Sequence, residues 1–299
     1  MNLETLCLVC DVARLRSFSQ GARENGVSQS AASQAVHLLE HELGVALLDR
    51  SKRPVALTAE GEVYVQGCRR ILDEHRRLAA RVRGPGVPIS GIVRVAAIYS
   101  AGFLNMGRRL QAFRTMFPKT RIRVDYLRPD RVLEAVESGE ADLGILSYPK
   151  KSRTIRVLPL RLEPMALASL LCAPLARRRR LQPEDLQGVP FIAFDRDLPI
   201  RKAVDRWLRA RRIRVRVDME FDNIETIKQA ILAGQGVSIL PEAAFEREVR
   251  ERLLVAIPLP PPAGLARPIG IIHRANRRPS PTAERFIGVL REGGVSGGG

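Results

Sequence analysis

The chain has 299 residues, of which 45% are hydrophobic, so it is long enough to bury two or three separate cores. Its formal net charge is +17, yet residues 1–60 hold six basic side chains against seven acidic ones. A large positive charge favours nucleic-acid binding, but the argument depends on where the basic side chains lie along the chain. No signal-peptide pattern opens the sequence, and no apolar run approaches the roughly 20 residues that span a bilayer. We therefore expect a cytoplasmic protein without a membrane partner.

The four cysteines, at positions 7, 10, 68 and 172, are too few and too scattered for a disulfide framework. Cys7 and Cys10 form a Cys-x-x-Cys pair, but no second pair and no histidine at ligand spacing accompanies it. The pair indicates helix packing, with metal or redox chemistry as the alternative. We expect neither a metal nor a cofactor.

Two short helices are predicted at the start of the chain. Apolar side chains recur at helical spacing over residues 3–14, which predicts an amphipathic helix. Ser17 is a typical cap for a second helix, in FSQGARENG, and Gly26 ends it.

A third helix, from about 29 to 43, has the features of a DNA-recognition helix. Ser28 caps it after Val27, which we expect to pack inward, and Gly44 ends it. Two short helices before it, joined by a tight connection, are typical of a helix-turn-helix. Ala31 and Ala32 would let the helix approach the floor of a groove, and the polar side chains around them offer partners to base edges and phosphates. The predicted DNA contacts in this region are Ser17, Ser28, Gln29, Ser30, Ser33, Gln34 and His37. The side chains predicted to face the core are Val36, Leu39 and Leu43. The alternative is a capped surface helix with solvated polar residues.

The stretch ALLDRSKRPVALTAEG has two short apolar pieces around a basic turn, which predicts a hairpin wing. Such a wing would present Arg50, Lys52 and Arg53 to phosphates or to the minor groove. Glu40 and Glu42, on the preceding helix, are expected to face away from the phosphates.

A long helix is predicted from Thr58 to about Arg83, followed by a hinge in GPGVP at 84–88. Six of its side chains are spaced alternately by four and three residues, as in a coiled-coil seam. These are Tyr64, Cys68, Ile71, His75, Leu78 and Val82. The stripe predicts a dimer with a second copy of the chain, and packing on the chain's own next domain is the alternative.

Beyond the hinge, strands and helices alternate, which predicts an α/β fold. Strands in GIVRVAAI, RIRVDYL and ADLGILSY alternate with helices in FLNMGRRLQAFRTMF and RVLEAVESG. A second round has strands PFIAFD, RVRVDMEF and GVSIL with helices IRKAVDRWLRARR and NIETIKQAILAG. Returning strands at 253–259 and 268–273 and a last helix near 282–291 complete the pattern. Two such lobes, linked by crossing strands, would leave a cleft between them.

These motifs resemble those of the LysR-type transcriptional regulators along the whole chain. The matching stretches are SFSQGA from Ser17, VSQSAAS from Val27, LEHELG from Leu39, LLDR from Leu47, LTAEG from Leu57, NIETIKQA from Asn223 and GQGVSILP from Gly234. The resemblance implies a winged helix-turn-helix, a linker-helix dimer and a two-lobed effector domain similar to periplasmic binding proteins, commonly assembled as tetramers. The chain departs from the family's pattern at Gly21, where Ala is usual, which bears on the packing of the second helix.

The resemblance also implies domain boundaries. The winged helix-turn-helix would occupy residues 1–60, the linker helix and hinge 58–88, and the effector-binding domain 89–299. Within the last, lobe I would take about 89–161 and 268–299, and lobe II about 162–267.

If the cleft follows the family, strand ends and helix N-termini form its walls, and their free N–H groups favour anions. The predicted effector-binding residues at such ends are Ser100, Arg128, Asp130, Ser147, Arg196, Arg201 and Asn223. Arginines there can add charge-assisted hydrogen bonds, which leads to the hypothesis of a small anionic metabolite. The alternative for each arginine is a solvated side chain in an Arg-rich protein.

The sequence thus predicts a DNA-binding transcriptional regulator controlled by a metabolite. A constitutive or architectural DNA-binding protein is one alternative. An enzyme with an accessory DNA module is another, but the chain has no nucleophile elbow, no Walker loop and no metal-spaced cluster among its four histidines, so we predict no catalytic residues. The expected partners are double-stranded DNA, a small-molecule effector and further copies of the chain in a homodimer or homotetramer, with RNA polymerase as a further candidate.

Overall fold

The computed structural model describes residues 2–83, 89–100, 106–177, 182–259 and 264–292. The chain divides into two compact units, which we call the N-terminal and the C-terminal unit. They comprise Met1–Pro88 with Ser138–Glu140, and Ile89–Glu137 with Ala141–Gly299. The predicted hinge at 84–88 lies outside the described residues. None of the helices in the described ranges is long and apolar enough to cross a membrane.

The described part of the N-terminal unit contains four helices and a short hairpin. Its elements are α1 (Leu3–Leu15), α2 (Phe18–Glu24), α3 (Gln29–Leu43), β1 (Leu48–Asp49), β2 (Ala56–Leu57) and α4 (Ala59–Arg83). The strands β1 and β2 pair antiparallel, with Leu48 opposite Leu57, so the predicted wing is confirmed. The predicted helices are confirmed as well, and the bounds of α3 match the prediction.

Side-chain caps explain where these helices begin. The backbone N–H of Thr5 donates to Asn2 Oδ1 at 2.8 Å at the start of α1. Ser28 Oγ accepts from the N–H of Ala31 at 3.1 Å at the start of α3. Each cap satisfies one of the N–H groups that a first helical turn leaves without a partner. At its other end, α3 stops at Gly44, whose φ of +70° suits glycine.

The core of the N-terminal unit lies between α1, α3, the hairpin and α4. Its fully buried side chains include Val9, Val12, Ala32, Val36, Leu39, Leu47 and Val65. The inward packing predicted for Val27 and Leu43 is wrong, since they are 43% and 40% exposed. Leu43 lies in the last turn of α3, one turn beyond the point where Leu39 ends the buried stripe. Val27 lies in the turn before the helix, where its backbone N–H donates to the carbonyl oxygen of Ala22.

Gly21 has a packing reason of its own. A Cβ atom at this position would lie 2.5 Å from Val12 Cγ2 and 3.0 Å from Val12 Cα. The absence of a side chain therefore lets α2 approach α1 closely. The Ala that is usual at this position in the family would collide with Val12.

The C-terminal unit alternates strands and helices as predicted, in two lobes. Its strands are β3 (Gly91–Ile98), β4 (Thr120–Leu127), β5 (Leu143–Ser147), β6 (Ile155–Leu170), β7 (Pro190–Phe194), β8 (Arg216–Phe221), β9 (Ser238–Pro241), β10 (Leu254–Pro258) and β11 (Ala266–Arg274). Its helices are α5 (Met106–Met116), α6 (Pro129–Ser138), α7 (Pro199–Ala210), α8 (Ile224–Leu232), α9 (Glu246–Arg250) and α10 (Pro281–Glu292). The first three residues of the predicted α5 lie outside the described part of the chain.

The strands follow the order β10-β6-β11-β5-β3-β4, with β9 also paired to β6, and β7 and β8 form a separate pair. β3 runs parallel to both β4 and β5, and β7 runs parallel to β8. One buried cluster packs on β3, β5 and β11 together with α10, and defines lobe I. A second cluster packs between β7, β9, β10 and the helices α7 and α8, and defines lobe II.

The 16-residue strand β6 connects the two lobes. Its first part pairs with β11, and its last residues pair with β9 and β10. The sequence did not predict this strand, because Pro159 and Pro164 interrupt it and proline cannot donate to a sheet ladder. The structure accommodates Pro159 at a bulge, where the register with β11 shifts between Ile269 and Gly270.

Candidate nucleic-acid interface and effector cleft

The face of α3 opposite the core is polar and exposed. Ala32, Val36 and Leu39 are buried, so helical geometry turns Ser30, Gln34 and His37, four and three residues apart, to the other side. The latter three are exposed. Ala32 is in the core, so of the two small residues predicted to approach a groove only Ala31 is exposed.

Other polar side chains near the start of α3 are held by neighbours. Gln29 Oε1 accepts from Ser19 Oγ at 2.9 Å, which links α3 to α2. The hydroxyl groups of Ser28 and Ser30 form a hydrogen bond, with their Oγ atoms 2.9 Å apart. Ser17 is the cap of α2 and accepts from the N–H of Gln20. These contacts link the start of α3 to α2 and orient the polar side chains there.

The predicted basic residues of the wing lie beside α3. The Arg50 guanidinium lies over the ring of Phe18, 5.1 Å from its centroid, and its Nη1 donates to Ser33 Oγ at 3.4 Å. Lys52 Nζ is 3.6 Å from Asp49 Oδ2, an exposed ion pair. Arg53 is exposed. The structure therefore brings together Arg50 of the hairpin and Ser33 of α3, two of the predicted DNA contacts.

Glu40 is the carboxylate that organises this arrangement. Its Oε1 accepts from the backbone N–H groups of Leu47 and Leu48, at 2.9 and 3.0 Å. Its Oε2 accepts from Arg50 Nη2 at 2.9 Å. The sequence predicted only that Glu40 faces away from the phosphates, and it did not predict the ion pair with Arg50, a predicted phosphate contact. The spacing that links it to Leu47 depends on the turn after Gly44, which a helical pattern does not reveal.

The predicted seam on α4 divides into two parts. Cys68 is buried in the core of the N-terminal unit, so its assignment to a dimer seam is wrong. Tyr64 packs against that core but is only half-buried, and its place in the seam stays a prediction. Burial and the neighbouring Cys68 raise the pKa of Tyr64 to about 12. Ile71, Leu78 and Val82 are 50%, 55% and 79% exposed, and His75 between them is also exposed. The last three turns of α4 thus carry an uncovered apolar stripe.

The packing role predicted for the Cys-x-x-Cys pair is confirmed for Cys10, which lies in the core with its Sγ 3.9 Å from the carbonyl oxygen of Val65. Cys7 is only half-buried. A hydrogen bond with Cys68 and burial raise the pKa of the Cys10 thiol. Among the described residues, no group of three or more His, Cys, Asp or Glu side chains is placed to hold a metal ion.

In the C-terminal unit, a cleft opens at the carboxyl ends of the parallel strands. Such ends lie at one edge of a sheet, where ligands bind in α/β folds. Ser100 follows β3, Arg128 follows β4 and Ser147 ends β5 in lobe I, while Asn223 follows β8 in lobe II. These four predicted residues line one cleft with Tyr99, Leu127, Phe194, Leu198, Asp222, Arg267 and others.

Three helices also begin at this cleft. Its lining includes Pro129 at the start of α6, Pro199 at the start of α7 and Ile224 at the start of α8. The N-terminus of each helix carries a partial positive charge, so three of them around one cleft favour an anion. Asn223 caps α8 by accepting from the N–H of Thr226 at 2.9 Å.

Arg128 crosses from lobe I to carboxylates of lobe II. Its Nη1 donates to Asp222 Oδ2 at 3.0 Å and its Nη2 to Asp197 Oδ2 at 2.9 Å, with Asp195 Oδ2 3.6 Å away. Desolvation would lower the pKa of Arg128, but the hydrogen bond to Asp222 and the nearby carboxylates outweigh it and raise that pKa. We call this set of contacts the Arg128 latch.

Arg267 is a cleft residue that sequence reasoning missed. It lies directly opposite Glu163 in the register of β11 and β6. Its Nε donates to Glu163 Oε2 at 2.8 Å and its Nη1 to Ser100 Oγ at 3.0 Å. Burial lowers the pKa of Arg267, and the ion pair with Glu163 opposes this. Only the pairing with the unpredicted strand β6 could have identified it.

Three predicted effector residues do not line the cleft. Arg201 is buried and donates to Asp205, to the carbonyl of Phe194 and to Glu220, so it holds α7 against β7 and β8. Arg196 is 82% exposed in its side chain and pairs with the same Glu220. Asp130 is exposed on α6, 3.8 Å from Arg128 Nε. We withdraw these three residues from the predicted site.

Comparison with known proteins covers both units. The model of the "Bacterial regulatory helix-turn-helix protein, lysR family" matches residues 3–62, and that of the "LysR substrate binding domain" matches residues 88–294. A probable RuBisCO transcriptional regulator from Synechocystis is 28% identical over 292 residues, which is 96% of this chain and 84% of that protein.

Two solved structures share the fold over 98% of this chain. One is a full-length OxyR variant from Pseudomonas aeruginosa, with a TM-score of 0.76, 23% identity and 94% of its own chain covered. The other is full-length CbnR in complex with its target DNA, with a TM-score of 0.65, 22% identity and 100% of its own chain covered.

Proposed function

The chain belongs to the LysR family of bacterial DNA-binding transcriptional regulators, and from this premise we propose that its effector is a small anionic metabolite bound in the cleft. The matched family consists of regulators, so the alternatives of an enzyme and of a constitutive DNA binder are not favoured. Binding in the cleft would change the geometry of the lobes and, through it, the hold on DNA.

The convergence of three helix N-termini on one cleft carries the proposal. The starts of α6, α7 and α8 all contribute lining residues, and two arginines, Arg128 and Arg267, lie among them. Free N–H groups and guanidinium groups are the donors that bind carboxylates, phosphates and sulfate. The rest of the wall is largely apolar, with Leu127, Phe194 and Leu198, which suits a compact organic anion.

The Arg128 latch gives the anion a specific route into the cleft. Asp197 and Asp222 occupy the Arg128 guanidinium in the structure. An anionic ligand would take the place of these carboxylates, so binding exchanges one ion pair for another and releases the contact between the lobes. Asp197 and Asp222 would also repel an anionic ligand that does not engage Arg128.

Isothermal calorimetry with a panel of organic acids, sulfur metabolites and phosphate metabolites tests the effector class. We expect one of them to bind, and Arg128→Gln to weaken that binding by about tenfold or more, because a charge-assisted hydrogen bond contributes roughly 1.5–3 kcal/mol. Arg131→Gln is the matched control, since Arg131 pairs with Glu134 on the exposed side of α6 and does not line the cleft. Silence across the panel, or equal effects of both substitutions, would contradict an anion held by Arg128.

We further propose that the exposed face of α3 reads base edges in the major groove, while Arg50, Lys52 and Arg53 contact phosphates. The exposure of Ser30, Gln34 and His37 on one face supports this. The proximity of Arg50 to Ser33 adds a cation beside that face.

A homodimer formed along α4 is part of the same proposal. The uncovered stripe of Ile71, His75, Leu78 and Val82 has the spacing of a coiled-coil seam. Two copies joined in this way would present two α3 helices to two half-sites of an operator.

A further inference from the structure

The surplus positive charge of the chain lies away from the helix-turn-helix. Residues 89–299 hold 37 of the 49 basic and 22 of the 32 acidic side chains, so +15 of the net charge of +17 belongs to this part. Within it, residues 201–216 carry eight basic side chains and one acidic one. The proposed DNA-reading face and the anion cleft use none of this segment's exposed charges.

The geometry of α7 collects these charges on one surface. Its buried side chains, among them Ile200, Val204, Trp207 and Leu208, pack into the core of lobe II. Lys202, Arg206 and Arg209 are spaced by four and three residues, so they form a stripe on the opposite side of the helix. The stripe continues past the end of α7 into the turn that leads to β8. We call its five exposed members, Lys202, Arg206, Arg209, Arg212 and Arg214, the α7 ridge.

The cations of the α7 ridge are not neutralised by the protein. Within the described residues, none of the five side chains forms an ion pair, and the carboxylate in their midst, Asp205, is bonded to Arg201. Exposed arginines elsewhere in the same unit do have partners, as in Arg216 with Asp218 and Arg247 with Glu251. Like charges three and four residues apart on a helix repel one another weakly, and an external polyanion would remove this repulsion.

We propose that the α7 ridge binds the phosphate backbone of duplex DNA outside the bases read by α3. The inference rests on the family's DNA binding and not on the identity of the effector. Guanidinium groups match the geometry of phosphate, and a linear row of cations matches a regular polyanion. Because the N-terminal unit already holds DNA, the second contact is made at a high effective concentration. It adds affinity for any sequence without reading bases.

The test is the salt dependence of binding by the full-length protein to a random-sequence duplex of about 60 base pairs, long enough for contacts beyond one site. The variant is the triple substitution K202Q/R206Q/R209Q. The matched control is R114Q/K119Q/R121Q, which removes the same charge from three exposed residues of lobe I. Because all six side chains are exposed, both variants should keep the wild-type unfolding temperature.

The ridge variant is expected to bind about tenfold more weakly at low salt, and the slope of log K against log salt should fall by about 0.9 for each phosphate that the protein no longer neutralises. The control should match the wild type within about twofold. The ratio of operator to random affinity should stay unchanged in both variants, which separates this proposal from the role of α3. A salt slope of the ridge variant equal to that of the control would overturn the proposal and exclude DNA as the partner of this surface.

Discussion

The Glu40 carboxylate accepts hydrogen bonds from two backbone N–H groups at the start of the wing and from one guanidinium nitrogen of Arg50. A single carboxylate thus ties α3 to the start of β1 and orients the cation that lies beside Ser33. Its helical position resembles that of any solvated glutamate, and only the folded turn gives it partners. At the scale of residues, the polar pattern of α3 therefore predicts that Glu40 is exposed to solvent and misses its three hydrogen bonds.

Replacing Glu40 by Ala is expected to lower the free energy of unfolding by about 1–3 kcal/mol, because two N–H groups and a guanidinium lose their acceptor. Affinity for random and selected DNA should fall together, since Arg50 is no longer positioned. Urea unfolding and fluorescence anisotropy measure the two effects. Glu74→Ala removes an exposed glutamate of α4 and should change neither. Wild-type behaviour of Glu40→Ala would show that the wing is held without this carboxylate.

Lys228 and Glu248 form a largely buried ion pair in lobe II, with Nζ and Oε1 2.8 Å apart, and Glu225 is a second, more exposed partner at 2.9 Å. Burial alone would raise the pKa of Glu248, but the hydrogen bond and charge of Lys228 hold it below its ordinary value. A carboxyl with a depressed pKa in the folded state stabilises the protein above its unfolded-state pKa. That contribution is lost as the pH falls through the folded-state pKa.

Glu248→Gln should therefore reduce stability at neutral pH by about 2 kcal/mol, less than the roughly 3–5 kcal/mol for a fully buried pair because Glu225 remains. The difference from wild type should shrink as the pH is lowered below about 4.5, the ordinary range of a glutamate. Urea titrations across this range give the answer. Glu251→Gln, in the exposed pair with Arg247, is the control and should have little effect. A pH-independent difference would mean that packing, not charge, explains the destabilisation.

At the scale of elements, α3 could be predicted to the residue because Ser28 caps it and Gly44 ends it. The parallel strands and their helices could also be predicted from the sequence, and with them the cleft residues Ser100, Arg128 and Asn223. The strand β6 was not predicted, because Pro159 and Pro164 argue against a strand, and the bulge that accommodates Pro159 is visible only in the pairing with β11. Arg267 was missed with it, since its partner Glu163 lies on that strand and the two are 104 positions apart in sequence.

The contact between the hairpin and α4 depends on a residue without a side chain. A Cβ atom at Gly61 would lie 2.0 Å from the carbonyl oxygen of Leu47. Gly67, on the same helix, has nothing within 4 Å of that position. Gly61→Ala is expected to destabilise the N-terminal unit by about 2–3 kcal/mol through overpacking. Gly67→Ala should be neutral or stabilising by up to about 1 kcal/mol, through helix propensity.

Thermal or urea unfolding of the two glycine variants separates packing from propensity, because both introduce the same methyl group into α4. Equal stabilities would show that the hairpin moves away from α4 without cost. Packing on α4 would then not hold the wing in the position that its proposed DNA contacts require.

At the scale of the whole molecule, the exposed stripe on α4 predicts assembly. The double substitution I71E/L78E places two charges in the seam of the proposed homodimer, so the variant is expected to sediment as a smaller species than the wild type. It should also weaken operator binding, because one copy then offers one α3. Leu171→Glu changes an exposed leucine outside α4 and should leave the assembly intact. An unchanged sedimentation coefficient of the double variant would place the dimer interface elsewhere.

The claim on which the regulator's specificity depends is that the exposed polar face of α3 reads bases. Its most direct test is the ratio of affinities for an operator, selected from genomic fragments, and for random DNA, measured for wild type, Gln34→Ala and His37→Ala, two exposed residues of that face. We predict that both substitutions reduce this ratio, by an amount equal to about 1–3 kcal/mol each, while Lys52→Gln lowers both affinities alike and leaves the ratio unchanged. If Gln34→Ala and His37→Ala weaken the binding of operator and random DNA equally, the exposed face of α3 does not read the sequence.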